Sequence, residues 1–288
     1  MKRWLITVMT LLGFTGIVSA QELYVNTEPA SNMPANSLGI RLTGKTMNMD
    51  YDGSTAVRLE PEVMWGINKK LMVHLAGYTS NMMQAGWKVE GGSIYAKYRF
   101  LSQDQQHAHF RMAAYVKGSL INNPFMPVMG DSHMSYVNAD GDLDGNNSGV
   151  TGGIIATQLL HKLALSGTAG YSRYLNNTRD NLPPDFPRNA INYSFSAGYL
   201  VLPVKYKSYK QTNLNLYVEF LGKTNVADAE QARGSYLDIA PAVQLIFNST
   251  TRLDFSYRTQ LAGNMPRNMY NSCLIRLEHN IFNIIKKR

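Results

Sequence analysis

From Ser37 onward the chain alternates apolar and polar residues with a period of two, in segment after segment. "TRLDFSYRTQLA" sets Leu253, Phe255, Tyr257 and Leu261 against Arg252, Asp254, Ser256, Arg258 and Gln260. "NLNLYVEF" sets Leu214, Leu216, Val218 and Phe220 against Asn213, Asn215, Tyr217 and Glu219. Side chains of a strand point alternately to opposite faces, so each segment is a strand with one apolar and one polar side. About twelve such segments follow one another, among them Ser37–Thr46, Gly92–Leu101, Asn213–Gly222 and Tyr270–Phe282. Most have roughly the 9–11 residues with which a tilted strand crosses a bilayer.

The connections carry a second signal. Short ones (Asn68-Lys69-Lys70, His161-Lys162, Asn248-Ser249-Thr250) alternate with long polar or Gly/Pro-rich ones (Asn122–Ser148, Asn176–Asn189, Lys223–Gly234). Only Pro203–Thr212 is long where a short turn is due. A soluble β-sandwich also shows alternation and turn signals, but it buries its apolar faces and has no need of this rhythm. In these features the segment Ser37–Phe282 resembles the bacterial outer-membrane β-barrel class. The resemblance implies an all-β, closed antiparallel transmembrane β-barrel of about twelve strands, with short turns on one rim and long loops on the other. Trp65, Phe100, Phe110 and Phe247, on apolar faces beside short turns, supply an aromatic girdle. Two prolines, Pro61 and Pro241, fall inside strands, where each deletes a ladder hydrogen bond.

The beginning of the chain fits export. "MKRWLITVMTLLGFTGIVSA" runs from Lys2 and Arg3 through an apolar stretch to a small-x-small ending, the pattern of a signal peptide over residues 1–20. Its apolar run is shorter than the roughly 20 residues a transmembrane helix needs. Residues 21–36 then form a periplasmic or lumenal segment, 37–282 the barrel, and 283–288 a short basic periplasmic tail. The expected location is the outer membrane of a Gram-negative bacterium, with outer-membrane lipid, lipopolysaccharide and small solutes as partners. The formal charge of +8 comes without a basic run interleaved with aromatics, so nucleic acid is not an expected partner. A single cysteine, Cys273, leaves no intramolecular disulfide framework.

If apolar faces meet lipid, polar faces line the lumen, because an Arg or Lys at the bilayer midplane costs roughly 2–4 kcal/mol. Strand parity places a basic strip there: Arg41, Arg58, Lys97, Arg99, Arg111 and Lys117. The lumenal acids are Glu60, Glu62, Glu219, Asp238, Asp254 and Glu278. With Lys45, Arg252, Arg258 and Arg276 on the same parity, cations outnumber acids, and the strip lies in the first five strands, which predicts a channel or passive transporter with a mild preference for anions.

Three further patterns compete with that reading. Asp140, Asp142 and Asp144 alternate before Gly145, as in the first half of a calcium loop, but Thr151 stands where the bidentate Glu belongs. On parity they lie at the extracellular rim, beside lipopolysaccharide. Methionine, with 15 copies, gathers in the long loops. Met126, Met129, His133 and Met134 make a spacing from which soft ligands could converge on copper, in a non-conducting barrel that binds a ligand or metal; packing is the alternative use of the thioethers. No cofactor is otherwise implied. "SHMS" (Ser132, His133, Ser135) lacks an orienting partner, so no enzyme is expected.

Overall fold

A computed structural model describes residues 24–284, apart from 51, 84–85, 127, 130–131, 134–137, 206–207, 209 and 227–231. Twelve antiparallel strands close into one barrel, each paired with its neighbours in sequence and the last with the first. They are β1 (Ser37–Met49), β2 (Thr55–Gly66), β3 (Leu71–Ser80), β4 (Lys88–Asp104), β5 (Ala108–Ile121), β8 (Gly149–Leu160), β9 (Leu163–Tyr174), β10 (Asn189–Leu202), β11 (Asn213–Val226), β12 (Ser235–Phe247), β13 (Thr251–Gly263) and β14 (Met269–Ile281). A two-residue-per-strand hairpin, β6 (Val128–Met129) and β7 (Ser132–His133), sits in the longest loop. Residues 1–23 and 285–288, which include the expected leader and most of the expected basic tail, lie outside the described residues.

The alternation decides which side chains face out. Ile40, Leu42, Leu75, Ile94, Phe195, Phe255 and Ile275 are exposed on the outer wall, as are Trp65, Phe100 and Phe247 of the girdle. Phe110 is half-buried. The opposite parity is inward and polar: Arg58, Lys97, Glu219, Asp238, Asp254 and Glu278 are fully or almost fully buried.

The two prolines act as their missing N–H requires. Between β2 and β3 the pairs stop at Leu59↔Thr79 and resume in the same register at Glu62↔Ala76. Between β12 and β13 they stop at Ile239↔Thr259 and resume at Ala242↔Ser256. Each proline keeps its pair on the other side, Leu42↔Pro61 and Val218↔Pro241. One ladder opens locally, and no strand slips.

Several strands run further toward the long-loop rim than the alternation alone predicts. β1 continues to Met49, β4 begins at Lys88, and β11 continues to Val226. These extensions raise a collar that the longest loop enters. Residues 138–148 therefore do not lie on the rim. They turn into the lumen, where Ala139, Asn146, Asn147 and Ser148 are buried. The segment from Tyr24 to Asn36 enters from the opposite end, with Tyr24, Val25 and Ala30 buried against the wall.

Candidate functional site

The lumen is filled from both ends, and each filler is held by a different kind of bond. On the short-turn side, Glu219 of β11 is buried without a cation partner among the described residues. Its carboxylate instead accepts hydrogen bonds from the backbone N–H groups of Val25 (3.1 Å), Asn26 (2.8 Å) and Thr27 (2.9 Å). The Thr27 hydroxyl donates a further bond at 2.7 Å. Hydrogen bonds to an ionised acceptor are the strong ones, which is how a wall acid can be buried by an uncharged stretch of backbone.

The next residue, Glu28, is the segment's own acid. Glu28 pairs with Arg41 at 3.3 Å and with Lys97 at 3.4 Å. Lys97 also donates to the carbonyls of Pro29 and Ser31, and Arg111 donates to the Ser31 hydroxyl at 2.7 Å. Burial works to raise the Glu28 carboxyl, and the adjacent Lys97 and Arg41 more than reverse it, holding it well below the usual carboxylate range.

On the long-loop side the grip is ionic. Asp140 pairs with Lys223 at 2.5 Å and Arg267 at 3.2 Å, Asp142 with Arg58 at 3.0 Å, and Asp144 with Lys117. Burial pushes the Asp140 carboxyl up, and the Lys223 and Arg267 charges pull it below its ordinary value. The three carboxylates thus turn to cations on different strands instead of converging. Among the described residues no cluster of His, Cys, Asp and Glu is placed to hold a metal ion. Gly145 serves a different end from a calcium turn. Its φ is +124°, and a Cβ there would meet the Arg58 guanidinium carbon at 2.7 Å. The glycine lets the loop close over Arg58, whose other partners are Glu90 at 2.9 Å, Asn146 and the Met82 sulfur at 3.3 Å.

The basic strip is consequently neutralised. Arg41 is shared by Glu28, Glu62 and Glu278, and Lys45 pairs with Glu60 at 2.8 Å. Arg111 lies 3.2 Å from Asp104. Arg99 faces a cavity of about 200 Å³ at the short-turn mouth, together with Arg111 and Lys69. In the other half, Asp238 takes Arg258 and Arg267 at 2.7 Å each, Glu278 takes Arg252, and Asp254 stands 3.8 Å from Arg276. The compensating acids Glu28, Glu90, Asp140, Asp142 and Asp144 come from the terminal segment, the loop and a strand extension. Parity within the twelve segments does not count them.

Between the two fillers a cavity of about 380 Å³ remains, lined among others by Glu28, Arg41, Lys45, Glu62, His74 and Asp144. A smaller one of about 130 Å³ lies toward the loops, and Lys45, Asp144 and Arg276 line both. Such a lumen can hold water and small polar solutes. Of the residues expected for copper, Met126 is exposed, Met129 and His133 belong to the backbone hairpin, and Met134 is outside the described residues.

The closed antiparallel barrel is a fold shared with solved outer-membrane proteins. The chain superposes on an outer-membrane channel from Pseudomonas putida F1 with a TM-score of 0.57 at 11% identity, covering 90% of this chain and 100% of that one. The NanC porin gives 0.47 at 8% identity over 85% of this chain and 98% of that chain. The β domain of the Bordetella autotransporter BrkA gives 0.44 at 12% over 85% and 99%. No family model matches the chain, and no curated protein matches its sequence. The likeness is one of fold.

Proposed function

We propose that this protein is an outer-membrane channel for small polar solutes, closed in this conformation by its own terminal segment and longest loop. The observation that carries the reading is a closed barrel with an apolar outer wall and a charged lumen that still contains cavities between its two fillers. Export through residues 1–20 and contact of the long loops with lipopolysaccharide belong to the same reading, and a catalytic role for Ser132, His133 or Ser135 does not.

Selectivity follows from the pairing. With Glu28, Asp142 and Asp144 in place the strip is neutralised, and discrimination between small anions and cations is weak. Removing the terminal segment withdraws Glu28 from Arg41 and Lys97 and exposes the anion preference that the strip encodes. The experiment is conductance in planar bilayers for the full protein and for a variant lacking residues 24–33. The full protein is expected to open rarely; the variant opens persistently and favours chloride over potassium. A deletion variant that is folded and silent removes the channel reading, and one that favours potassium removes the anion preference.

A further inference from the structure

Eight methionines are gathered in two groups on one side of the lumen, one at each end of β1 to β3. The outer group is Met47 and Met49 of β1, Met82 and Met83 just after β3, and Met269 of β14; its one other buried apolar member is Ala56. The inner group consists of Met33, Met64 and Met72 alone. All are buried apart from Met269, which is partly so. None of these eight belongs to the Met126–Met134 pattern.

The backbone places them face to face. Met49 and Met269 are register partners across β1 and β14. Gly39 and Met64 are partners across β1 and β2. A Cβ at Gly39 would lie 2.6 Å from the Met64 methyl and 3.0 Å from the Met33 methyl, so the glycine leaves the hollow in which two thioethers meet. Met64 is in turn the cross-strand partner of His74. Partners on one face have Cβ atoms about 5 Å apart.

His74 supplies an independent pointer. It is 3% exposed, and its Nε2 atom has no hydrogen-bond partner. Its Nδ1 lies 2.6 Å from the Glu62 carboxylate. A carboxylate behind one ring nitrogen fixes the tautomer that leaves a lone pair on the other, the arrangement found behind metal-ligating histidines. A buried nitrogen lone pair without a donor costs free energy unless something occupies it. His74 lines the central cavity, while Met47, Met82 and Met269 line the smaller one toward the loops and Met33, Met64 and Met72 one of about 20 Å³ beside the terminal segment.

We propose that the lumen binds a soft monovalent metal ion of the Cu(I) class, held by a thioether cluster at each end of β1 to β3, with His74 beside the inner one. Thioether and imidazole are neutral, soft ligands that suit Cu(I) and discriminate against Ca²⁺ and Mg²⁺. Neutral ligands also match the charge of the lumen, where the wall cations are already paired with carboxylates. Two outer sulfurs already have a partner, Met82 Sδ accepting from Arg58 at 3.3 Å and Met83 Sδ from the Asn268 amide at 3.5 Å; at the other positions packing alone does not call for sulfur, because leucine fills the same volume at little cost. The inference goes beyond the channel reading, since binding is measured on detergent-solubilised protein without any conductance.

The test is anaerobic Cu(I) titration against a chromogenic chelator, with Ag(I) as a redox-inert second probe. Wild type is expected to bind two or more ions. Met33→Leu, Met64→Leu and Met72→Leu together remove one, and leucine at the five outer positions removes the other. His74→Gln weakens the inner site about tenfold or more. Retained heat-modifiable migration on unboiled gels reports that each variant is folded. A parallel measurement needs no variant: Ag(I) protects the eight methionines of wild type from peroxide oxidation, read residue by residue by mass spectrometry, and leaves Met126 unprotected. Wild type that fails to compete for Cu(I), leucine variants that bind as wild type does, or uniform oxidation with and without Ag(I) each overturn the proposal.

Discussion

The two fillers occupy one lumen on opposite terms. The terminal segment is held chiefly through backbone N–H groups converging on the single carboxylate of Glu219, with Glu28 as a second anchor. The loop is held through side chains, three carboxylates each taking a different cation. The grip on backbone centres on one wall acid, to which only the Asn26 amide and the Thr27 hydroxyl add side-chain bonds from the segment. A grip through ion pairs is distributed, so that no single pair decides it. The inner filler is therefore expected to release as a unit and the outer one to loosen by degrees.

The largest effect should come from Glu219→Gln. The substitution keeps the shape and removes the charge that three amides and the Thr27 hydroxyl address; bonds to a charged group contribute about 1.5–3 kcal/mol each. Even one such loss shifts the open fraction at least about tenfold, since 1.4 kcal/mol is that factor. Single-channel open probability reads it directly. An unchanged open probability would mean that Glu28, not the amide cluster, holds the segment.

At the outer filler, Arg58→Ala should matter far more than Asp142→Asn. Arg58 is buried against Glu90, and removing it leaves a buried carboxylate without its cation, a loss of about 3–5 kcal/mol. Asp142 is partly solvated and is one pair among several, so its loss costs below about 1 kcal/mol. Urea midpoints of the refolded barrel separate the two, and equal midpoints would place the loop's weight on its rim instead of on Arg58.

Acid is expected to act on both fillers at once. Glu28 and Asp140 are held below their ordinary values of 4.5 and 3.8. Their contributions are therefore complete above those values and are lost as pH falls through the lower folded ones. Conductance should stay flat from neutrality to about pH 4.5 and rise only below it. A rise already between pH 7 and 5 would point instead to histidine.

How far the sequence carries this account depends on whether a residue obeys local parity. The barrel was legible because every segment repeats one rule, and Arg41, Lys97, Glu219 and Asp254 all point where that rule sends them. Lys223 and Asn225 obey it too, but they lie in "GKTN", whose turn-forming composition hides a strand that continues. Glu90 breaks the rule. The β3–β4 register shifts between Tyr78 and Thr79, and Gly91, with φ +144°, takes up the irregularity. That step reverses parity, so Glu90 faces Arg58 although counting outward from Tyr95 and Lys97 sends it to the lipid. The inward turn of the loop was illegible for a different reason. Asp140 and Lys223, or Asp142 and Arg58, are more than eighty positions apart, and no local pattern reports that they meet. The aspartates read as a metal loop because their spacing suits one cation, whereas the wall offers each its own.

Salt gives the smallest effect and the cleanest separation of the two grips. Raising ionic strength from about 0.1 M to about 1 M shortens the screening length from about 10 Å to about 3 Å. Screening weakens pairs that reach solvent, and Lys117–Asp144 is one, with the Asp144 side chain 49% exposed. The Glu219 carboxylate is fully buried and its bonds are short, directed hydrogen bonds, which screening barely touches. With Cys273→Ser as background, spin labels at Asn138→Cys and Asn32→Cys report the loop and the terminal segment separately. Mobility should increase modestly at 138, by less than about 1 kcal/mol in the bound fraction, and stay constant at 32. Equal mobilisation at both positions would show that the inner filler also rests on its ion pairs, with Glu28 outweighing the amides at Glu219.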